Sequence, residues 1–347
     1  MNLLAVDLGG TKSLLAIFKW NKVPVKIHQK RYISSEWNSF YSILNDFITT
    51  LPGNIDKPKY GCIALAGNTN KNNCKITNLN WEISTENIYK IVKLKKIELI
   101  NDLAVLVYGL KYFKKDQYTT IQEGNVERPE LNNSVIAIIG AGTGLGIARG
   151  LKDSNGFHSL SSEGGHSEFS PRSQDEWDLA KWLKNDLKVD RLSLERIVSG
   201  TGLGHIARWQ LLKEHGKMHP LREIAEKSTP YSSNTIDIPA IASKAARNGD
   251  SLMLKALDIW LSAYGSAAGD LALQELCTSG LWIAGGTAGK HINGLKSKIF
   301  LDSFINKGRF KAFLKEIPIK ALIDPDAGVF SAGCRAYQVA QQNEKLN

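Results

Sequence analysis

Asn101 and Asp102 are two polar residues that arrive together after the strand-like stretch Ile97-Glu98-Leu99-Ile100 and before the apolar positions Val105, Leu106, Val107 and Leu110. The pattern reads as a buried strand running into a helix, with a carboxylate at the strand's carboxyl end. Ligands of open α/β sheets bind outside such ends, which places Asp102 to meet a substrate proton as a base; capping the following helix is the plainer role for the same side chain. In Ser162-Glu163-Gly164-Gly165-His166 a carboxylate and an imidazole flank two glycines. A turn so poor in side chains lets a polyhydroxylated ligand lie against backbone while Glu163 and His166 take neighbouring hydroxyls. A zinc site would call for a cysteine pair or a second histidine nearby, and neither is present. Two glycine-threonine turns, Asp7-Leu8-Gly9-Gly10-Thr11 and Gly140-Ala141-Gly142-Thr143-Gly144, share one logic. Glycines let backbone N–H groups approach and face an anion, and the threonine hydroxyl adds a donor, so both are candidate phosphate cradles as well as ordinary hairpin turns. Glu195, in Leu194-Glu195-Arg196-Ile197, reads singly as a solvated helix residue and gains meaning only from its context.

Spacing removes two familiar nucleotide motifs. Gly140, Gly142, Gly144 and Gly146 do not fit the dinucleotide fingerprint, because the position it needs falls on Leu145 or Ile147. Gly289-Lys290 ends like a phosphate-binding P-loop, but His291 stands where Ser or Thr belongs and Ala284 where the first glycine belongs.

The elements that must position these residues follow from periodicity. A strand over 3–6, the turn at 7–11 and a strand over 13–18 form a hairpin; a third strand is predicted over 25–32 and a helix from the spacing of Phe40, Ile43, Leu44, Phe47, Ile48 and Leu51. A strand over 60–66, an Asn-rich loop at 68–73, a short helix near 85–92 and the strand ending at Asp102 complete an alternating α/β pattern. The polar stretch 116–133 reads as a surface connection. A strand over 135–139, the second glycine turn and a strand over 145–148 then repeat the opening design, a coarse internal duplication. Helices follow over 175–187, 192–198, 203–214, 239–248 and 251–276, with strands at 281–284 and 319–323 and a closing helix over 328–341. The division expected is a small lobe of residues 1–110 with about 327–347, and a large, helix-rich lobe of 111–326.

The 347 residues are 43% hydrophobic, enough for two cores. The net charge of +10 favours anionic ligands, but the lysines and arginines are scattered and no nucleic-acid-binding motif accompanies them. The 4 cysteines lie far apart, no basic leader precedes Asp7, and no apolar run reaches bilayer length. These features point to a cytoplasmic protein without a membrane or nucleic-acid partner.

Taken in order, the segments at 7–11, 77–81 (TNLNW), 99–105 (LINDLAV), 140–146, 162–169 (SEGGHSEF), 195–203 (ERIVSGTGL), 269–273 (GDLAL), 283–286 (IAGG) and 307–310 (KGRF) resemble the bacterial glucokinase family of the hexokinase/actin-like ATPase superfamily. The resemblance implies a two-lobed, ribonuclease H-like α/β fold with duplicated mixed sheets and a cleft between the lobes. It also implies ATP-dependent phosphorylation of a hexose at its primary 6-hydroxyl, most naturally glucose, with Asp102 as catalytic base. Asn101, Asp102, Glu163, His166 and Glu195 would bind the sugar. Asp7, Gly9, Gly10, Thr11, Gly140, Gly142, Thr143 and Gly144 would hold ATP phosphates, with Gly285 and Gly286 beside the adenosine. Mg²⁺ would come with ATP near Asp7 and have no fixed protein site, and the family is compatible with a homodimer. Another hexose, or a non-catalytic regulator that binds sugar and ATP, are the alternative readings. Asn68 stands where the family commonly has proline, and Thr287 where it has an aliphatic residue.

Overall fold

The computed structural model describes residues 1–347 except 68–71, 77–78, 125–133, 154–155, 229–236 and 346–347. The Asn-rich loop and the TNLNW segment therefore fall partly outside the described residues.

The chain forms two compact units: Met1–Tyr118 with Ala148–Ser161 and Asp324–Asn347, and Thr119–Ile147 with Ser162–Ile323. In the first, β1 (Asn2–Leu8), β2 (Lys12–Asn21) and β3 (Val23–Ile33) run antiparallel, followed by α1 (Phe40–Thr49) and β4 (Tyr60–Leu65). The short pair β5 (Asn73–Lys75) and β6 (Glu82–Ser84) leads to α2 (Thr85–Ile91), β7 (Lys96–Asn101) and the one-turn α3 (Leu106–Gly109). The sheet order is β3-β2-β1-β4-β7, and β1, β4 and β7 are parallel. Every residue of β4 is buried, as expected for a strand covered on both faces. Ser39 caps α1 by accepting from the Ser42 N–H, and the i, i+3, i+4 spacing of Phe40, Ile43, Leu44, Phe47 and Ile48 turns one apolar face into the core.

The second unit opens with β8 (Tyr118–Gln122) and β9 (Val135–Ala141). The chain crosses between units within β10 (Leu145–Asp153), which lies beside β11 (Gly156–Ser162) in the sheet. Then come α4 (Gln174–Leu187), α5 (Gly200–Leu212), α6 (Arg222–Lys227), α7 (Ile238–Arg247) and α8 (Ser251–Glu275). They are followed by β12 (Leu281–Ala284), α9 (Ile292–Leu295), α10 (Lys298–Ile305), α11 (Lys311–Lys315) and β13 (Ile319–Leu322). The closing α12 (Ala327–Lys345) packs on β1 and β4 of the first unit. Strands β9, β12 and β13 are parallel, with Ala284 opposite Gly140. The second core is built around α8, whose Trp260 and Tyr264 are fully buried.

Two expectations change. Residues 192–198 form only the 3₁₀ turn Leu194–Arg196, because their backbone pairs outward: Phe169 N–H donates to the Leu192 carbonyl and Leu194 N–H to the Ser167 carbonyl. The polar stretch from 116 begins with a true strand, β8, whose mixed, half-buried residues carry no alternation to betray it. The family motifs GDLAL and KGRF have a packing role: Lys307 clamps α8 through Asp270 at 2.6 Å and Ser266 at 2.9 Å, and Gly269 lets α8 lie against the Phe304 carbonyl. Among the described residues no helix is long and apolar enough to cross a membrane.

Candidate active site

In the first unit the parallel register aligns the carboxyl ends of β1, β4 and β7. Leu8 lies opposite Leu65, Leu65 opposite Asn101, and Asp102 N–H donates to the Leu65 carbonyl at 3.1 Å. Asp7 and Asp102 therefore emerge on one sheet edge, at strands about two strand spacings, roughly 10 Å, apart. The capping role belongs to Asn101. Its Oδ1 accepts the N–H groups of Leu103 at 3.0 Å and Ala104 at 3.1 Å, while its carbonyl accepts Val105 N–H.

The Asp7 carboxyl is pushed up to about 7, first by burial, then by the negative charges of Asp102 and Asp326, with Arg31 opposing. Asp326 is itself held by Lys26 at 2.7 Å and Arg31 at 3.0 Å. Gly328 is required beside this group, since a Cβ there would overlap the Asp7 carboxylate. The turn between β1 and β2 is pinned by Gly9 N–H to the Lys12 carbonyl (3.0 Å), Ser34 N–H to the Thr11 carbonyl (2.9 Å) and Ser34 Oγ to the Gly9 carbonyl (3.0 Å). Gly10 and Thr11 remain accessible at its tip. No set of three or more His, Cys, Asp or Glu converges to hold a metal among the described residues.

In the second unit the turn between β9 and β10 is tied to the start of α5. Gly200 N–H donates to the Gly142 carbonyl at 2.8 Å and Thr201 Oγ1 to the Thr143 carbonyl at 2.8 Å. Ser199 caps α5 by accepting Gly202 N–H at 2.9 Å, so the positive end of a 13-residue helix starts at this turn. Glu195 packs over Gly144, where any Cβ would strike its carboxylate, and accepts Leu145 N–H at 2.9 Å. Glu163 and His166 sit on the 3₁₀ turn Gly164–His166, 3.8 Å apart and largely exposed. Gly165 brings that turn onto the Leu145 carbonyl, at a distance no Cβ would allow. Leu145 is thus the common support of Glu163, His166 and Glu195.

Gly285, at a φ of +86°, lies on the Ala141 backbone, and Thr287 donates its hydroxyl to the Ala141 carbonyl at 2.7 Å. The threonine found in place of an aliphatic residue has become a tie between the two loops. These loops line a cavity of about 520 Å³ bordered by Gly142, Thr143, Gly286, Thr287, Thr201 and Lys290. The cavity combines the start of α5 and threonine side chains with glycines that leave room, a lining whose chemistry suits an anionic ligand. Sequence reasoning missed Thr201 as a cavity residue, and it dismissed Lys290 along with the failed P-loop; the helix start Ser199-Gly200-Thr201-Gly202 was the readable signal.

A glucokinase family model matches residues 4–339. This chain belongs to the glucokinase family. The glucokinase of a Nostoc species is 36% identical over 347 residues, covering 97% of this chain and 99% of the relative. The crystal structure of glucokinase from an Antarctic psychrotroph superposes with a TM-score of 0.79 at 25% identity, covering 97% of this chain and 98% of that one. That of Balamuthia mandrillaris glucokinase in complex with glucose reaches 0.77 at 20% identity, covering 97% and 93%. The glucokinase fold is the actin-like ATPase fold that the sequence resemblance implied, and the family activity is ATP-dependent phosphorylation of glucose.

Proposed function

We propose that Asp102 is the general base of this reaction, that Asn101, Glu163, His166 and Glu195 bind the sugar hydroxyls, and that the two glycine-threonine turns with Gly285 and Gly286 bind ATP. The observation that carries the reading is the division of labour at the end of β7: Asn101 performs the capping for which a carboxylate at Asp102 would otherwise be the candidate. Asp102 accepts the proton of the 6-hydroxyl as that oxygen attacks the γ-phosphorus; the new O–P bond forms while the bond to the β-phosphate oxygen breaks and ADP leaves. A carboxylate can serve as this base because the transition state is loose and proton removal is late. The Leu145 support fixes Glu195, and through Gly165 the turn carrying Glu163 and His166, so that orientation of the sugar supplies much of the rate. Mg²⁺ bound with ATP would neutralise developing phosphate charge, and Asp7 is the carboxyl suited to it, since a cation relieves the repulsion from Asp102 and Asp326.

The test is Asp102→Asn. We expect kcat to fall by about 10²–10⁴ while glucose binding, followed by calorimetry, persists; near-normal turnover would remove Asp102 from the base role. A panel of glucose, mannose, fructose and N-acetylated hexoses, assayed by ADP release, should show glucose with the highest kcat/KM. A cytoplasmic homodimer completes the proposal, and sedimentation as a monomer in analytical ultracentrifugation would remove the dimer.

A further inference from the structure

The cavity of the second unit contains a histidine that neither the turns nor the helix end explains. His291 and Ser243 both line it and are each only 8% exposed. The imidazole packs against Trp260, ring centroids 5.2 Å apart, which fixes its plane. Ser243 Oγ lies 2.7 Å from the Pro239 carbonyl, one turn back in α7, and 3.3 Å from His291 Nε2. The hydroxyl has a single proton, and the carbonyl can only accept, so that proton goes to Pro239. The serine oxygen must then accept from Nε2–H. This chain of bonds sets the imidazole as the Nε2–H tautomer, leaving Nδ1 as an acceptor to which no described residue donates.

We propose that His291, held by Ser243, is the residue that selects a 6-aminopurine as the base of the phosphoryl donor, its Nδ1 accepting from the exocyclic amino group. The assignment rests on the reading of this cavity as the nucleotide site. A 6-oxopurine would set its carbonyl oxygen against Nδ1, two acceptors face to face in a largely desolvated place, so it is disfavoured. The selection requires a neutral ring, because a protonated one would donate at Nδ1 and reverse the preference. Burial, with the charges of Arg247 and Lys290, lowers the His291 pKa to about 4, so the ring stays neutral across the physiological range.

ATP and inosine triphosphate differ only at the purine 6-position and its neighbouring N1 proton, so the ratio of their kcat/KM values reads this contact alone. His291→Phe keeps an aromatic ring against Trp260 and removes both nitrogens; it should cut the ATP preference by on the order of tenfold, through the KM for ATP, with the KM for glucose unchanged. His291→Asn, which restores an acceptor near the Nδ1 position, should regain part of the preference. Ser243→Ala frees the ring to place its proton on Nδ1 and should lower the preference with the histidine in place. A ratio within twofold of the parent in both His291→Phe and Ser243→Ala overturns the proposal. Gly286→Val separates the two levels, since a side chain there meets no protein atom within 4 Å and projects into open space. A KM for ATP raised at least tenfold by Gly286→Val supports the cavity as nucleotide site, and with an unchanged purine ratio overturns the role of His291 alone. An unchanged KM in Gly286→Val overturns both.

Discussion

The two glycine-threonine turns are one local design in two chemical settings. Each closes a strand–turn–strand hairpin, β1 to β2 and β9 to β10. The first is braced from below by a buried serine pair, Ser13 and Ser34, and emerges among the carboxylates Asp7, Asp102 and Asp326. The second is braced by the start of α5 and by Glu195, and opens on a cavity flanked by Lys290 and Arg247. A carboxylate-rich surround suits a cation and a proton acceptor; a helix start with nearby cations suits phosphate. The hairpin is therefore common to both, and the partners packed beneath each turn set its chemistry.

Substitutions can break this comparison at several strengths, of which Asp102→Asn is the largest. Next is Gly144→Ala: its Cβ displaces the Glu195 carboxylate from Leu145 N–H, and losing a charge-assisted hydrogen bond should raise the KM for glucose on the order of tenfold or more. An unchanged KM would detach Glu195 from the sugar. The turns should also differ in tolerance. Gly9→Ala places a Cβ 2.9 Å from the Lys12 carbonyl oxygen and should cost about 1–3 kcal/mol in urea unfolding, whereas Gly142→Ala meets nothing within 4 Å and should stay within about 0.5 kcal/mol. Equal costs would mean that the bracing is alike after all.

A further effect concerns pH and is confined to the second setting. His291 titrates near 4 in the fold against 6.5 in an unfolded chain, so its contribution to stability is fully present above about 6.5 and is lost as pH falls toward 4. Thermal melts of His291→Phe should lack that part of the acid decline, and a decline equal to the parent's would show that the histidine is protonated freely in the fold.

Much of the site was legible because its signals are local. Gly-Thr turns between apolar strands, a polar pair closing a strand and two glycines between Glu163 and His166 are each visible in a window of a few residues. Glu195 was placed only by resemblance, since its meaning lies in a contact with Leu145, 50 positions earlier in the chain. The helix expected over 192–198 failed for the same reason: apolar spacing favoured it, and backbone pairing with 167–169 overrode it. His291 was read as a defect in a P-loop, because its partners Ser243 and Trp260 come from two other helices.

The sequence by itself determined the alternation of strands and helices, the repeated hairpin and the residue types at the strand ends, because backbone propensity and hydrophobic period act over one or two turns of chain. Only the tertiary structure decided which group does what there. It gave the cap to Asn101, placed Asp102 and Asp326 where their charges raise the proton affinity of Asp7, gathered Glu163, His166 and Glu195 around Leu145, and set Ser243 and Trp260 against His291. Proton affinity, hydrogen-bond partner and desolvation depend on distances between residues far apart in the chain, and those distances exist only after the sheets and helices have packed.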